Sequence, residues 1–303
     1  MADRWRPFVA AAIALAAACD DGAPPPAPPT PATPVSAAAP EPPAGAAPAD
    51  SAPAPAAGSP SNPLGLPVRR MRLDPGRRVF TFSDRMLAAA KPGSTLVFYA
   101  ATVVGFDGDE LIVEGRGGAS YKVHPGYVIA VPDKPRLALQ APVLTEWNGV
   151  MKHGILRRFV KDRVGVEFTD ADGRAPEAML KDARFVPQQE GLVPGNYAAL
   201  REGDGWRQVL LVSKLGEETP ARWFVLGYGG AARIVEEAAL KPIPIQFKNQ
   251  KVGTQVWAAW VGELRPATLQ SADDVGFYTV KFERAGRPVR VGWGHLVLKL
   301  EGG

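Results

Sequence analysis

Through most of the chain beyond residue 90, apolar and polar positions alternate with a period of two rather than 3.6. Residues 95–101, 110–114, 164–168, 209–212, 222–226 and 277–282 are short runs rich in Val, Ile, Tyr, Phe and Trp. Such runs predict strands with one buried face. Turn signals separate them: Asp107-Gly108-Asp109, Arg116-Gly117-Gly118, Asp172-Gly173, Gly203-Asp204-Gly205, Gly229-Gly230 and Ala285-Gly286. Only residues 83–90 read as helical, with Ser83 placed to cap and Met86-Leu87 inside. The pattern predicts an all-β chain built from small barrels.

The pattern also recurs. Four segments end alike, at Val131-Pro132, Val186-Pro187, Lys241-Pro242 and Leu298-Lys299. The three prolines are spaced by 55 residues each, and Lys299 follows 57 after the last. Three starts match as well: Pro92-Gly93, Pro194-Gly195 and Val252-Gly253. A fixed period of this size marks a repeat architecture. It predicts four barrels at residues 91–134, 135–189, 190–246 and 247–303, preceded by a basic lead-in with a short helix at 68–90. Units of this length are marginal alone, so the barrels are expected to pack on one another.

The first 67 residues differ in composition. Arg4 and Arg6 precede an apolar run at 8–18, about half the length needed to cross a bilayer. Cys19, the only cysteine, follows directly. Leu15-Ala16-Ala17-Ala18-Cys19 resembles the lipobox of bacterial lipoproteins, although the usual leucine three residues before the cysteine is Ala16 here. The resemblance implies a signal peptide at 1–18, lipidation of Cys19 and anchoring of the protein to a membrane of the bacterial cell envelope, facing periplasm or exterior. More than one acyl chain is needed for lasting attachment. Lipidation would consume the only thiol and leave no disulfide. Residues 20–67 contain 16 prolines in 48 residues, with no Lys, Arg or aromatic side chain. Together with Cys19 they are expected to form a disordered tether, 19–67.

The net charge is +4; setting aside the leader's +1 and the tether's −4 leaves +7 on the remainder. Arg69, Arg70, Arg72, Arg77 and Arg78 cluster at its start. They suit either an anionic membrane surface or a solvated approach to the first barrel.

The fourth repeat resembles a Tudor or Agenet module of the SH3-like barrel class. Gly253, Ala258-Ala259-Trp260, Gly262-Glu263, Arg265-Pro266-Ala267-Thr268-Leu269 and Val280-Lys281-Phe282 stand in that family's order. The resemblance implies aromatic walls of the kind that hold methylated cations, but no repeat has a complete set. Trp260 and Phe282 match two walls, while Arg265 and Ala285 replace the others. Trp147 and Phe168 match in the second repeat, with His153 and Ala171 near the remaining places. The third has Trp206 and Tyr228, with Arg201 at the first-strand tryptophan position; the first has only Tyr99. These aromatics are either barrel core or the lining of a groove for an envelope protein, peptide or glycan.

An enzyme is hard to build from this chain. His124, His153 and His295 fall in three different repeats, without metal-ligand spacing. No nucleophile elbow, phosphate loop or dinucleotide fingerprint occurs. Neither a cofactor, a metal, a catalytic residue nor a nucleic-acid partner is expected. Two functions remain: an interaction surface of tandem barrels, or a structural spacer or cell-wall contact with no specific ligand.

Overall fold

A computed structural model describes residues 59–169, 177–181, 183–216, 219–246, 250–273 and 276–300. The signal peptide, Cys19, the tether up to residue 58 and Ala171 lie outside the described residues. The fold is all-β, with two large antiparallel sheets.

Among the described residues the strands fall into four groups of five. The first group is β1 (Arg78–Thr81), β2 (Tyr99–Asp107), β3 (Glu110–Glu114), β4 (Ser120–Val123) and β5 (Ile129–Ala130). The second is β6 (Pro142–Trp147), β7 (Val150–Val160), β8 (Arg163–Phe168), β9 (Glu177–Lys181) and β10 (Val186–Pro187). The third is β11 (Tyr197–Glu202), β12 (Gly205–Leu215), β13 (Arg222–Leu226), β14 (Ala232–Glu236) and β15 (Leu240–Pro242). The fourth is β16 (Gln255–Trp260), β17 (Glu263–Ala272), β18 (Phe277–Phe282), β19 (Val289–Gly292) and β20 (Leu296–Val297). Within each group successive strands pair as a meander from the first to the fourth, and the fifth returns to the free side of the first. The long second strand carries one bulge in every group, at Val104, Arg157, Val212 and Gln270. The bulge adds local twist and lets one strand bend around a small core.

Three sequence expectations need correction. The segment 68–90 is not a lead-in, because β1 lies within it and pairs with both β2 and β5. Val79 and Phe80 are fully buried between them. The flanking arginines disguise this strand, and the helix α1 (Asp84–Ala88), capped by Ser83 as expected, is inserted between it and β2. The start Pro92-Gly93 is therefore displaced too. The N–H groups of Gly76, Gly195 and Gly253 donate to Val103, Leu211 and Leu269 respectively, each just before its bulge. Gly76 is thus the structural counterpart of Gly195 and Gly253, all three at left-handed φ. Last, the tether's final residues belong to the folded body. Asn62 and Leu66 exchange two hydrogen bonds of 2.8 Å, and the Leu66 side chain is 3 % exposed within the core of the first barrel. This strap buries an apolar residue that the proline-rich composition conceals.

The barrels join in pairs through their second strands. Tyr99 on β2 faces Val150 on β7, and Arg207 on β12 faces Glu263 on β17. Counted from the bulges, these are the same positions. The amide of Ala100 donates to Gly149 O at 2.8 Å and that of Gln208 to Gly262 O at 2.9 Å, again at matched places. Barrels one and two are therefore coupled in the same register as barrels three and four.

Contacts also cross between the pairs. Leu96 N–H donates to Gly230 O at 2.9 Å, and a Cβ on Gly230 would lie 2.3 Å from Leu96 O. Only glycine allows that approach. Phe224 of the third barrel packs edge-on against Phe82 and Tyr127 of the first. Ile155 of the second barrel is buried in the core of the fourth, and Arg290 pairs with Glu167 at 3.0 Å.

Candidate functional site

The first-strand tryptophans close equivalent hairpins. Trp147 faces Val150 and Trp260 faces Glu263. In the third barrel the same hairpin position is Glu202, facing Gly205. Register therefore places Glu202, not Arg201, at the position equivalent to Trp147 and Trp260. Glu202 receives Arg207 and Arg233 in ion pairs.

In the second barrel Trp147 and Phe168 stack, with ring centroids 5.1 Å apart and planes 10° from parallel. Phe168 is 1 % exposed, and both rings belong to the barrel's apolar cluster. In the fourth barrel Trp260 and Phe282 meet at 4.9 Å and 66°. Here the pair frames a groove of about 370 Å³ lined by Trp260, Pro266 and Phe282 with Arg265, Arg284 and Glu283. Trp260 is half-buried, while Phe282 is 5 % exposed. The Arg265 guanidinium does not stand alone in it. Its Nε and Nη2 donate to Glu263 Oε2 at 2.8 and 2.5 Å. Those hydrogen bonds, then the charge of Arg265 itself, hold the Glu263 carboxyl below its ordinary value. The groove thus offers an apolar wall beside a neutralised ion pair.

The third barrel does not bring its two aromatics together. Trp206 is 4 % exposed in the interface between barrels three and four. Lys241 Nζ lies 5.2 Å and the Arg201 guanidinium 5.9 Å from its ring centre, so the chain supplies this ring's own cations. Tyr228, by contrast, is 67 % exposed and rests against Gly262, where any Cβ would clash.

The structure also gathers residues that the sequence keeps apart. A cavity of about 410 Å³ is lined from all four barrels, by residues that include Phe98, His153, Tyr197, Tyr228 and His295. The Tyr197 ring has His153 at 4.3 Å and His295 at 5.0 Å. His153 Nε2 bonds the Gly195 carbonyl at 2.9 Å, so it carries the proton. The Gln208 amide donates to Gly294 O and lies 3.0 Å from His295 Nδ1. Two histidines that fall in different repeats thus flank one tyrosine. Gly294 accommodates this meeting, since a Cβ there would lie 2.8 Å from the Tyr197 ring. Among the described residues no group of three or more His, Cys, Asp or Glu side chains is arranged to hold a metal ion.

No protein-family profile matches the chain, and no curated protein matches it. Function must therefore be argued from these sites.

Proposed function

We propose that this is a lipid-anchored protein of the bacterial cell envelope that presents tandem small barrels as a non-enzymatic interaction surface. Anchoring rests on the junction at Cys19. The surface that carries the reading is the groove of the fourth barrel, where Trp260, Pro266 and Phe282 form an apolar wall beside the Arg265–Glu263 pair. Aromatic walls flanked by polar groups suit an extended peptide or the apolar face of a sugar ring. Envelope peptides and glycans are the ligands proposed for it.

The second reading, a spacer without a specific ligand, draws on the burial of Phe168, Trp206 and Phe282. Aromatics spent on packing are not available to a partner.

Loss of the cysteine tests the anchor, which both readings share, and a ligand titration separates the readings. Cys19→Ala should move the protein from the membrane fraction to the soluble one, and metabolic palmitate labelling should vanish with it. Retention of the variant in membranes would refute the anchor. Soluble peptidoglycan fragments, titrated into the full chain while tryptophan fluorescence is followed, should perturb the parent and not Trp260→Ala. No response in either protein favours the spacer.

A further inference from the structure

A second groove, of about 500 Å³, runs between the strap and the first three barrels. Arg69, Lys134 and Arg136 line it, and no carboxylate does. Among the described residues none of these three cations has an ion-pair partner. Neighbouring cations do: Arg70 lies 3.7 Å from Asp109, and Arg77 pairs with Asp133. The segment 69–77 thus sends Arg70 and Arg77 to carboxylates and turns Arg69 into the groove.

Two buried polar atoms on this lining lack partners. Arg69 Nη1 has no hydrogen-bond acceptor and Asn196 Oδ1 has no donor. Asn196 is held in that orientation, because its amide nitrogen already donates to the carbonyls of Gln189 and Gly191. Buried groups left in this state cost stability and call for an explanation. Burial also lowers the Arg69 guanidinium below its ordinary pKa. A ligand carrying an anion and a hydroxyl would satisfy both atoms. A guanidinium fork matches the oxygens of a phosphate, and Lys134 and Arg136 at the exposed rim add charge. Met71, Val186 and Pro187 supply an apolar floor for a carbon skeleton.

We infer that this groove binds a phosphate ester of a polyol, with Arg69 on the phosphate and Asn196 accepting a hydroxyl. The chemistry is shared by soluble sugar or glycerol phosphates and by the headgroup of a phosphatidylglycerol-type lipid. It goes beyond the peptide or glycan groove and does not depend on Trp260.

The test uses the full chain carrying Cys19→Ala, titrated calorimetrically with glycerol 1-phosphate, inorganic phosphate and glycerol. Co-sedimentation with phosphatidylglycerol vesicles, against phosphatidylcholine vesicles, forms the lipid arm. Glycerol 1-phosphate should bind about tenfold more tightly than inorganic phosphate, and Arg69→Gln should lose about tenfold in affinity. The melting temperature of Arg69→Gln should hold or rise, since an unpaired buried charge is removed. Should that variant fail to fold, Arg136→Gln, at an exposed site, should still weaken binding several-fold. Vesicle binding that depends on Arg69, without binding of the free ester, assigns the site to lipid; the reverse assigns it to soluble esters. Absence of both, equal affinity for inorganic phosphate, or variants that bind like the parent would overturn the inference. Trp260→Ala should leave the binding of the phosphate ester and of the vesicles unchanged.

Discussion

Asn148 and Val261 occupy the same position in two hairpin turns, with φ of 53° and 51°. Each precedes a glycine at left-handed φ, Gly149 and Gly262. Asn-Gly is the favoured pair for such a turn. A β-branched residue there is strained, because its side chain crowds the backbone in the left-handed region. Val261 is also 63 % exposed, so it gains little from packing. Val261→Asn should therefore stabilise the protein by about 1 kcal/mol, and Asn148→Val should cost a similar amount. Urea denaturation decides it, and a neutral or destabilising Val261→Asn would contradict the account.

The strap should matter to stability although the sequence around it looks like tether. Leu66 packs against Gly126, where a Cβ would lie 2.7 Å from it. The Tyr127 hydroxyl donates to Asn62 Oδ1 at 3.0 Å and accepts from Leu64 N–H at 3.2 Å. Leu66→Ala should cost about 2–4 kcal/mol, as for other buried leucines. Val68→Ala, at a 73 % exposed side chain, should change almost nothing. Equal stability of the two variants would mean that the strap is not docked in solution.

His124 makes that docking sensitive to pH. Its Nδ1 accepts the Gly126 N–H at 3.0 Å, and its backbone N–H donates to Ser61 O at 3.1 Å. Burial holds the imidazole below its ordinary value, with Glu110 opposing and Arg69 reinforcing the shift. The unfolded chain therefore takes up this proton first as pH falls. Stability should be flat above the ordinary value of 6.5 and decline as pH drops from there toward the lowered folded value. His124→Asn keeps an acceptor for the Gly126 amide and should flatten that slope. Melting curves between neutral and mildly acidic pH, with an unchanged slope in the variant, would assign the effect elsewhere.

Trp260 tests whether the resemblance of the fourth repeat extends to ligand binding. A full aromatic cage is lacking, and Glu263, already neutralised by Arg265, offers a ligand cation no free carboxylate. Trimethyl-lysine peptides should show no measurable binding to the full chain. Trp260→Ala should lower stability by about 2 kcal/mol, less than the roughly 3–5 kcal/mol of a fully buried tryptophan. Micromolar calorimetric affinity for a methylated peptide would reverse the first expectation. A Trp260→Ala variant as stable as the parent would reverse the second.

Much of the architecture was legible because strands here are short, alternate cleanly and stop at glycine turns. Val186-Pro187 and Leu240–Pro242 are read at once as unit ends, since a proline suits an edge strand without a ladder donor. The first strand was not legible. Arg77 and Arg78 weight its composition toward charge, and α1 separates it from the strand it joins. Ser83, by contrast, announced its helix through the hydroxyl that accepts the Met86 N–H. The candidate sites were legible only where both partners sit in one barrel, as with Trp260 and Phe282. Neither His153 with His295 nor Arg69 with Asn196 shares a repeat. Their meeting depends on how whole barrels dock, which no local pattern encodes. Trp206 is a related case: Leu264, Val297 and Leu300 of the neighbouring barrel complete the cluster that buries it.

The contacts between alternate barrels limit how this chain can vary. In a solenoid each copy touches only its neighbours, so copies are gained and lost at little cost. Here Leu96 reaches Gly230 two barrels on, and Arg290 reaches back to Glu167. Deleting one barrel would bare the flanks of up to three others. Loss of a copy is therefore costly: such a chain diversifies more readily by changing its grooves than by shedding a repeat.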